Sequence, residues 1–255
     1  MDQTNKIGIK TSEELVVLRE AGKILSAIVK ELKCSLKTGI STQEIDILAE
    51  NLIKDYGVIP AFKGYRGFPG CVCVSINDEV VHGIPSKRKM ENGDIVSLDV
   101  GIIYKEYYSD MAITAGIGDI DAEFQRLMDV TKESLDRGIE QARENNHLSD
   151  VSHAIQKYVE ENGFSVVREF VGHGIGKQLH EDPEIPNFGE PNNGPILKAG
   201  MVLAIEPMVN IGDWHTKILN DGWTVVTKDG KPSAHFEHSI VVTKEKPEIL
   251  TREHG

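Results

Sequence analysis

Residues 95–114 read IVSLDVGIIYKEYYSDMAIT. Two β-patterned runs flank the polar break Tyr104-Lys105-Glu106, and each carries one carboxylate, Asp99 or Asp110, among apolar neighbours. The pattern predicts an antiparallel hairpin pairing 95–103 with 106–114. With the turn at Tyr104-Lys105, paired residue numbers sum to 209, so Asp99 stands directly opposite Asp110 on one face. Their Cβ atoms would lie roughly 5 Å apart, and like charges so placed repel unless a cation sits between them. Tyr-Lys supplies neither the Gly nor the Asn that tight hairpin turns favour.

Two more acids stand in equally unsuitable company. Glu206 interrupts MVLAIEPMV at 201–209, and Glu237 precedes His238-Ser239-Ile240-Val241-Val242. Neither segment supplies a basic residue close by. Buried carboxylates are costly unless paired, hydrogen-bonded or bound to metal. His173 lies in Gly172-His173-Gly174-Ile175-Gly176-Lys177, where glycines suit a loop that bends sharply or meets a ligand. A Walker phosphate loop is excluded, because Val171 and Gln178 occupy its required Gly and Ser/Thr positions. Four carboxylates with one imidazole balance two divalent cations and suit them better than a single zinc. The expected chemistry is that of a dinuclear metallohydrolase. Neither Gly-x-Ser-x-Gly nor His-Glu-x-x-His occurs.

The 255 residues suffice for a full core, and a net charge of −12 argues against a general nucleic-acid binder. A local exception is the basic loop Lys87-Arg88-Lys89. Met1 to Lys6 carries no apolar signal segment, and no run reaches membrane-spanning length. Cys34, Cys71 and Cys73 form neither a disulfide framework nor a zinc knuckle, which fits a reducing cytoplasm.

Capping boxes at Thr11/Glu14 and Ser41/Glu44 predict two helices, the first with an apolar stripe of Leu15, Leu18, Leu25, Ile28 and Leu32, the second stopping near Gly57. Strands follow at 71–76, 95–101 and 106–114. Helices at about 121–141 and 149–162 then precede strands near 165–170, 201–209, 222–227 and 235–243. Two helices then strands, twice over, predict one α+β domain of two related halves, about 10–120 and 121–252, with a central sheet covered by helices on one face.

At Ser75-Ile76-Asn77, His82-Gly83-Ile84-Pro85, Asp99 with Asp110, Gly172 to Gly176, Ile205-Glu206-Pro207-Met208 and Glu237-His238, the chain resembles the type I methionine aminopeptidases of peptidase family M24, from about residue 8 to 252. The resemblance implies the pita-bread fold, a curved antiparallel sheet with pseudo-two-fold halves, in the minimal bacterial form. It implies that Asp99 chelates one ion, that His173 and Glu206 bind another, and that Asp110 and Glu237 bridge both. The ions would be cobalt, manganese, iron or zinc. Glu206 would shuttle a proton from water to the leaving amine, His180 would donate to the developing oxyanion, and His82 would contact the scissile nitrogen or the amine end. The methionine pocket maps onto Phe62, Tyr65, Phe68, Cys73, Leu179 and Trp223, with Phe62, Phe68 and Leu179 departing from the common bacterial residues. A Na⁺ or K⁺ site maps onto Asn77, Glu79 and Ser233. The implied enzyme is a cytoplasmic monomer acting on the N-termini of nascent chains, without DNA or membrane partners, and the Lys87-Arg88-Lys89 loop could touch ribosomal RNA. Two other readings are an Xaa-Pro peptidase or prolidase sharing the ligand set, and a non-catalytic pita-bread binding protein.

Overall fold

Capping, apolar periodicity and strand pairing together explain the architecture. The computed structural model describes residues 7–252, so Met1 to Lys6 lies outside the described residues. Both predicted capping boxes form. The Thr11 N–H donates to Glu14 Oε2 at 2.8 Å ahead of α1 (Ser12–Ser35), and the Ser41 N–H donates likewise to Glu44 at 2.8 Å ahead of α2 (Thr42–Asp55). Each box satisfies N–H groups that a helix start leaves without partners. Gly57, at φ +69°, lets the chain turn away after α2. Asp121 caps α3 (Ala122–Gln141), and α4 is Leu148–Glu161.

The helices pack as two pairs, α1 with α2 and α3 with α4. Leu25, Ile28 and Leu32 of α1 are buried against Val96, Leu98, Val100 and Met111 of the hairpin. Leu127, Leu135, Val151 and Ile155 of α3 and α4 cover Leu203, Ile205 and Ile240. Each such aliphatic side chain contributes about 1.5–3 kcal/mol relative to exposure. These contacts take one face of the sheet. The other face, at 99, 101, 110, 112, 204 and 239, is left for the site.

A nine-stranded sheet runs in the order Ile59–Pro60, Ile95–Tyr104, Tyr107–Gly116, Glu237–Val241, Val202–Ile205, Gly172–Gly174, Glu181–Ile185. Val72–Ile76 joins at Ile95–Tyr104, and Glu248–Ile249 joins at Glu237–Val241. The seam between Tyr107–Gly116 and Glu237–Val241 joins the first part of the chain to the second.

The hairpin register differs from the sequence expectation. Observed partners sum to 211, so Asp99 faces Ala112 and Asp110 faces Gly101. The turn is Lys105-Glu106, with φ of +47° and +69°, the two positive values of a type I′ turn. Moving the sum by two keeps every side chain on its face, so apolar alternation cannot choose between the registers. Tyr107 marks the observed one, its hydroxyl donating to Glu14 Oε1 on α1 at 2.8 Å.

Four other expectations need correction. The 201–209 run is two strands, Val202–Ile205 and Met208–Asn210, broken at Glu206-Pro207, where proline offers no N–H to a ladder. The last long run splits at Phe236 into Ser233–His235 and Glu237–Val241. The outer pieces leave the main sheet, because Ser233–His235, Met208–Asn210 and Ser165–Val166 form a three-stranded sheet of their own. Only Ser165–Val166 of the expected 165–170 strand is extended in that sheet. Val225–Thr227 pairs with Thr216–Ile218 and Glu79–Val81 in another. Finally, Gly172–Gly174 is a strand rather than a loop. No helix among the described residues is long and apolar enough to cross a membrane.

The glycines beside His173 are explained by close backbone approach. A Cβ at Gly172 would collide with the Ala204 carbonyl, and one at Gly174 with the Asp182 carbonyl. Gly174→Ala should therefore cost about 1–3 kcal/mol through overpacking. The measured outcome is a melting temperature several degrees lower, and an unchanged one would show that the flanking strand yields freely.

Candidate metal centre and substrate cavity

The register aligns the acids. Asp99 pairs with Ala112 and Ala112 with Glu237, and one further step of the Ile205–His238 pairing brings Glu206 level with Glu237. That is one rung across four strands. The next rung on the same face holds Gly101, Asp110, Ser239, Ala204 and His173. Asp110 is fixed there by Ser239, whose hydroxyl accepts its N–H at 3.1 Å and donates to its carbonyl at 2.8 Å. Gly, Ala and Ser at the intervening positions leave the carboxylates room to converge.

Ligand atoms of Asp110, His173 and Glu237 lie within 4.8 Å of one another. Glu206 Oε1 is 3.6 Å from His173 Nε2. Asp99, Asp110 and Glu237 are all under 9% exposed, and Asp99 Oδ1 and Glu237 Oε1 have no hydrogen-bond partner. Among the described residues, no Lys or Arg forms an ion pair with any of the four acids. Burial pushes Asp99 up to about 7 and Glu206 up to about 8. It drives Asp110 and Glu237 well above the carboxylate range, with neighbouring acids adding to the shift.

His173 has the form a cation requires. Its Nδ1–H donates to the Gly174 carbonyl at 2.9 Å, leaving the Nε2 lone pair facing the acids, and burial lowers it to about 4, so it is neutral at pH 7. Orphaned carboxylate oxygens, a neutral imidazole and the absence of a compensating side-chain cation together fit a divalent metal.

The acids line one end of a cavity of about 150 Å³. Its walls include Phe62, Tyr65, Phe68, Cys73, His82, Leu179, His180 and Trp223, which brings the sequence-predicted pocket and the five predicted ligands together. A dry cavity of about 150 Å³ can hold benzene, so an unbranched four-atom side chain fits this space. Phe68 meets Trp223 edge-on at 5.2 Å between ring centres. Phe62 owes its place to Gly101, where a Cβ would lie 2.6 Å from its ring. The Tyr65 hydroxyl lies 2.9 Å from His180 Nδ1, and the His173 and His180 rings are 4.3 Å apart. His82, at φ +61°, sits edge-on to Trp223 at 6.1 Å and is lowered to about 4 by burial. Asn77 and Ser233 lie outside this cavity, the Ser233 N–H donating to the Asn77 carbonyl at 2.9 Å. The Glu79 carboxylate pairs with Arg88 at 2.7 Å.

Sequence reasoning passes over two residues that the structure brings to the site. Arg66 also lines the cavity, and its charge, after burial, lowers His180. His235 is 1% exposed, with Nε2 3.5 Å from Glu206 Oε2. Its place two residues before Glu237 is the available signal, since neighbours of a ligand on a kinked strand can turn into the same site.

The raised acids make stability depend on pH in a definite direction. Between about pH 6.5 and 8 the site histidines, lowered in the fold, titrate only in the unfolded chain, and their loss of charge there favours the fold modestly, whereas the four raised carboxylates lose more in the opposite sense. A group whose folded pKa lies above its unfolded one loses its stabilising contribution as pH rises through the folded value. With Asp99 at about 7 and Glu206 at about 8, chelator-treated protein should melt lower at pH 8 than at pH 6.5. Added Mn²⁺ should raise the melting point most at pH 8. A metal-free protein that melts higher at pH 8 would contradict this electrostatic picture.

The model of metallopeptidase family M24 matches residues 17–244. Methionine aminopeptidase 1 of Bacillus subtilis is 55% identical over 243 residues, covering 95% of this chain and 98% of that protein. The Clostridium perfringens methionine aminopeptidase is 52% identical, covering 95% and 98%. The crystal structure of the Thermotoga maritima methionine aminopeptidase superposes with a TM-score of 0.95 at 46% identity, covering 97% of this chain and 100% of that one. Pyrococcus furiosus prolidase shares the fold, with a TM-score of 0.80 at 23% identity, covering 98% and 67%. The chain belongs to metallopeptidase family M24, on its methionine aminopeptidase branch.

Proposed function

We propose that this chain removes the N-terminal methionine from nascent proteins and peptides, with preference for a small second residue. The observation that carries the reading is the largely apolar cavity ending on four acids that, among the described residues, no Lys or Arg neutralises. It gives a thioether an apolar socket and sets the first peptide bond beside the acids.

Two divalent ions, with Asp99 on one, His173 and Glu206 on the other, and Asp110 and Glu237 shared, would supply Lewis acidity and lower the pKa of water. Glu206, pushed up to about 8, suits both halves of a proton relay, taking the proton of the attacking water and returning it to the leaving amine. Tyr65 O–H donating to His180 Nδ1 keeps the proton on Nε2, which donates to the carbonyl oxygen as negative charge develops. His82, neutral at pH 7, contacts the scissile nitrogen or the amine end. Phe62, Tyr65, Phe68, Cys73, Leu179 and Trp223 hold the methionine, whose unbranched thioether suits these largely apolar walls.

The proposal extends to residues 1–255 as one monomeric cytoplasmic catalytic unit of two related halves. It includes a Na⁺ or K⁺ beside Asn77, Glu79 and Ser233. It also includes a ribosomal RNA contact at Lys87-Arg88-Lys89, for which Arg88 is already engaged by Glu79 and the two lysines carry the free charge. Neutralising all three should weaken co-sedimentation with ribosomes at low salt, and unchanged co-sedimentation would remove that contact.

The enzymatic test is release of methionine from Met-Ala-Ser by chelator-treated protein, with and without Mn²⁺, Fe²⁺ or Co²⁺, alongside Ala-Pro-Ala. Metal-restored cleavage of Met-Ala-Ser alone is expected. Cleavage of Ala-Pro-Ala instead would assign an Xaa-Pro peptidase, and cleavage of neither with metal bound would favour a binding protein. Glu206→Gln should remain folded and lose at least about a hundredfold in kcat, within the range for lost general acid–base catalysis. Near-wild-type turnover in that variant would remove the relay from Glu206.

A further inference from the structure

His235 is a wholly buried imidazole with no hydrogen-bond partner on either ring nitrogen. A buried polar group left in that state is destabilising, so a partner in reach is significant. Glu206 Oε2 lies 3.5 Å from His235 Nε2, while Glu206 Oε1 lies 3.6 Å from His173 Nε2. The two oxygens of one carboxylate are thus divided between two imidazoles of opposite character. His173 presents a lone pair, because its Nδ1 proton is committed to the Gly174 carbonyl at 2.9 Å. His235 has no such commitment and is free to carry its proton on Nε2.

The backbones behind this contact are clamped. The His235 N–H donates to Thr114 Oγ1 at 2.9 Å, and the Thr114 hydroxyl donates to the His235 carbonyl at 2.8 Å. Ser97 Oγ lies 2.8 Å from the Thr114 hydroxyl, so the clamp reaches both hairpin strands. On the other side, Asn187 Nδ2 donates to the Glu206 carbonyl at 3.0 Å. The adjustable parts are the imidazole and the carboxylate themselves.

We propose that His235 is a positioning residue whose Nε2–H donates to Glu206 Oε2, turning Oε1 toward the cation beside His173. The proposal rests on the metal and proton-relay roles given to Glu206 above. In this role the ring acts as a neutral donor and touches neither substrate nor metal.

The test compares His235→Gln, His235→Asn and His235→Phe. A Gln amide nitrogen stands as many bonds from Cα as His Nε2, whereas the Asn nitrogen matches Nδ1. Mn²⁺ affinity of the chelator-treated proteins is read by calorimetry, and kcat and KM are read on Met-Ala-Ser. His235→Phe and His235→Asn should lose about 10–100-fold in Mn²⁺ affinity or kcat, as for other partners of metal ligands, with KM little changed. His235→Gln should stay near the wild-type values. If Phe proves unfolded by circular dichroism, the Gln and Asn pair decides alone. The proposal is overturned if Phe or Asn matches the wild type in both readouts, or if Gln is as impaired as they are, which would make the ring a ligand or a packing element. A wild type that fails to cleave Met-Ala-Ser would sink the peptidase reading instead, leaving the Mn²⁺ affinities to judge His235.

Discussion

Antiparallel pairing forces like charges together in this protein. Asp99, Glu237 and Glu206 fall on one rung of the main sheet, with Asp110 and His173 on the next, all on the face that the helices leave free. Each carboxylate is locally awkward in an apolar strand, and as a group they are prohibitive without counter-charge. The surrounding structure is arranged around that constraint. Gly101, Ala112, Ala204 and Ser239 give space between the acids, and two helix pairs bury the opposite face.

The same rungs explain why cavity and acids share one wall. Asp99 stands on the strand that pairs with Val72–Ile76, which puts Cys73 opposite it and joins the apolar pocket to the acids. Strand breaks at Glu206-Pro207 and at Phe236 let the chain leave the main sheet directly after Glu206 or before Glu237. Those departures bring His235 to within 3.5 Å of Glu206. The cost of burying charge at the site is offset by the aliphatic cores behind it, and a bound cation would remove most of the electrostatic part.

Much of this was legible in the sequence. The capping boxes, the four helices and the gathering of Asp99, Asp110, His173, Glu206 and Glu237 at one cavity carry strong local signals: a Ser or Thr three residues before Glu, an apolar stripe, an acid where no acid belongs. The hairpin register was not legible, because a two-residue change leaves every side chain on its face and turn residues Lys105 and Glu106 hold positive φ without being Gly or Asn. The break at Pro207 is hidden because apolar residues resume at once with Met208 and Val209, so both strands read as one run. Gly172 and Gly174 read as loop residues, since only the three-dimensional approach of the Ala204 and Asp182 carbonyls shows why a strand needs them. His235 carried no motif, and its meaning comes from contacts made across the fold.

The most direct test of the two-rung account is anomalous diffraction from crystals grown with Mn²⁺. The account predicts two peaks about 3.5–4 Å apart, as in other two-metal sites, one beside Asp99 and the other beside His173 and Glu206, with Asp110 and Glu237 between them. Well-ordered crystals at saturating Mn²⁺ with no peak between the rungs, or with a peak outside the five side chains alone, would contradict it.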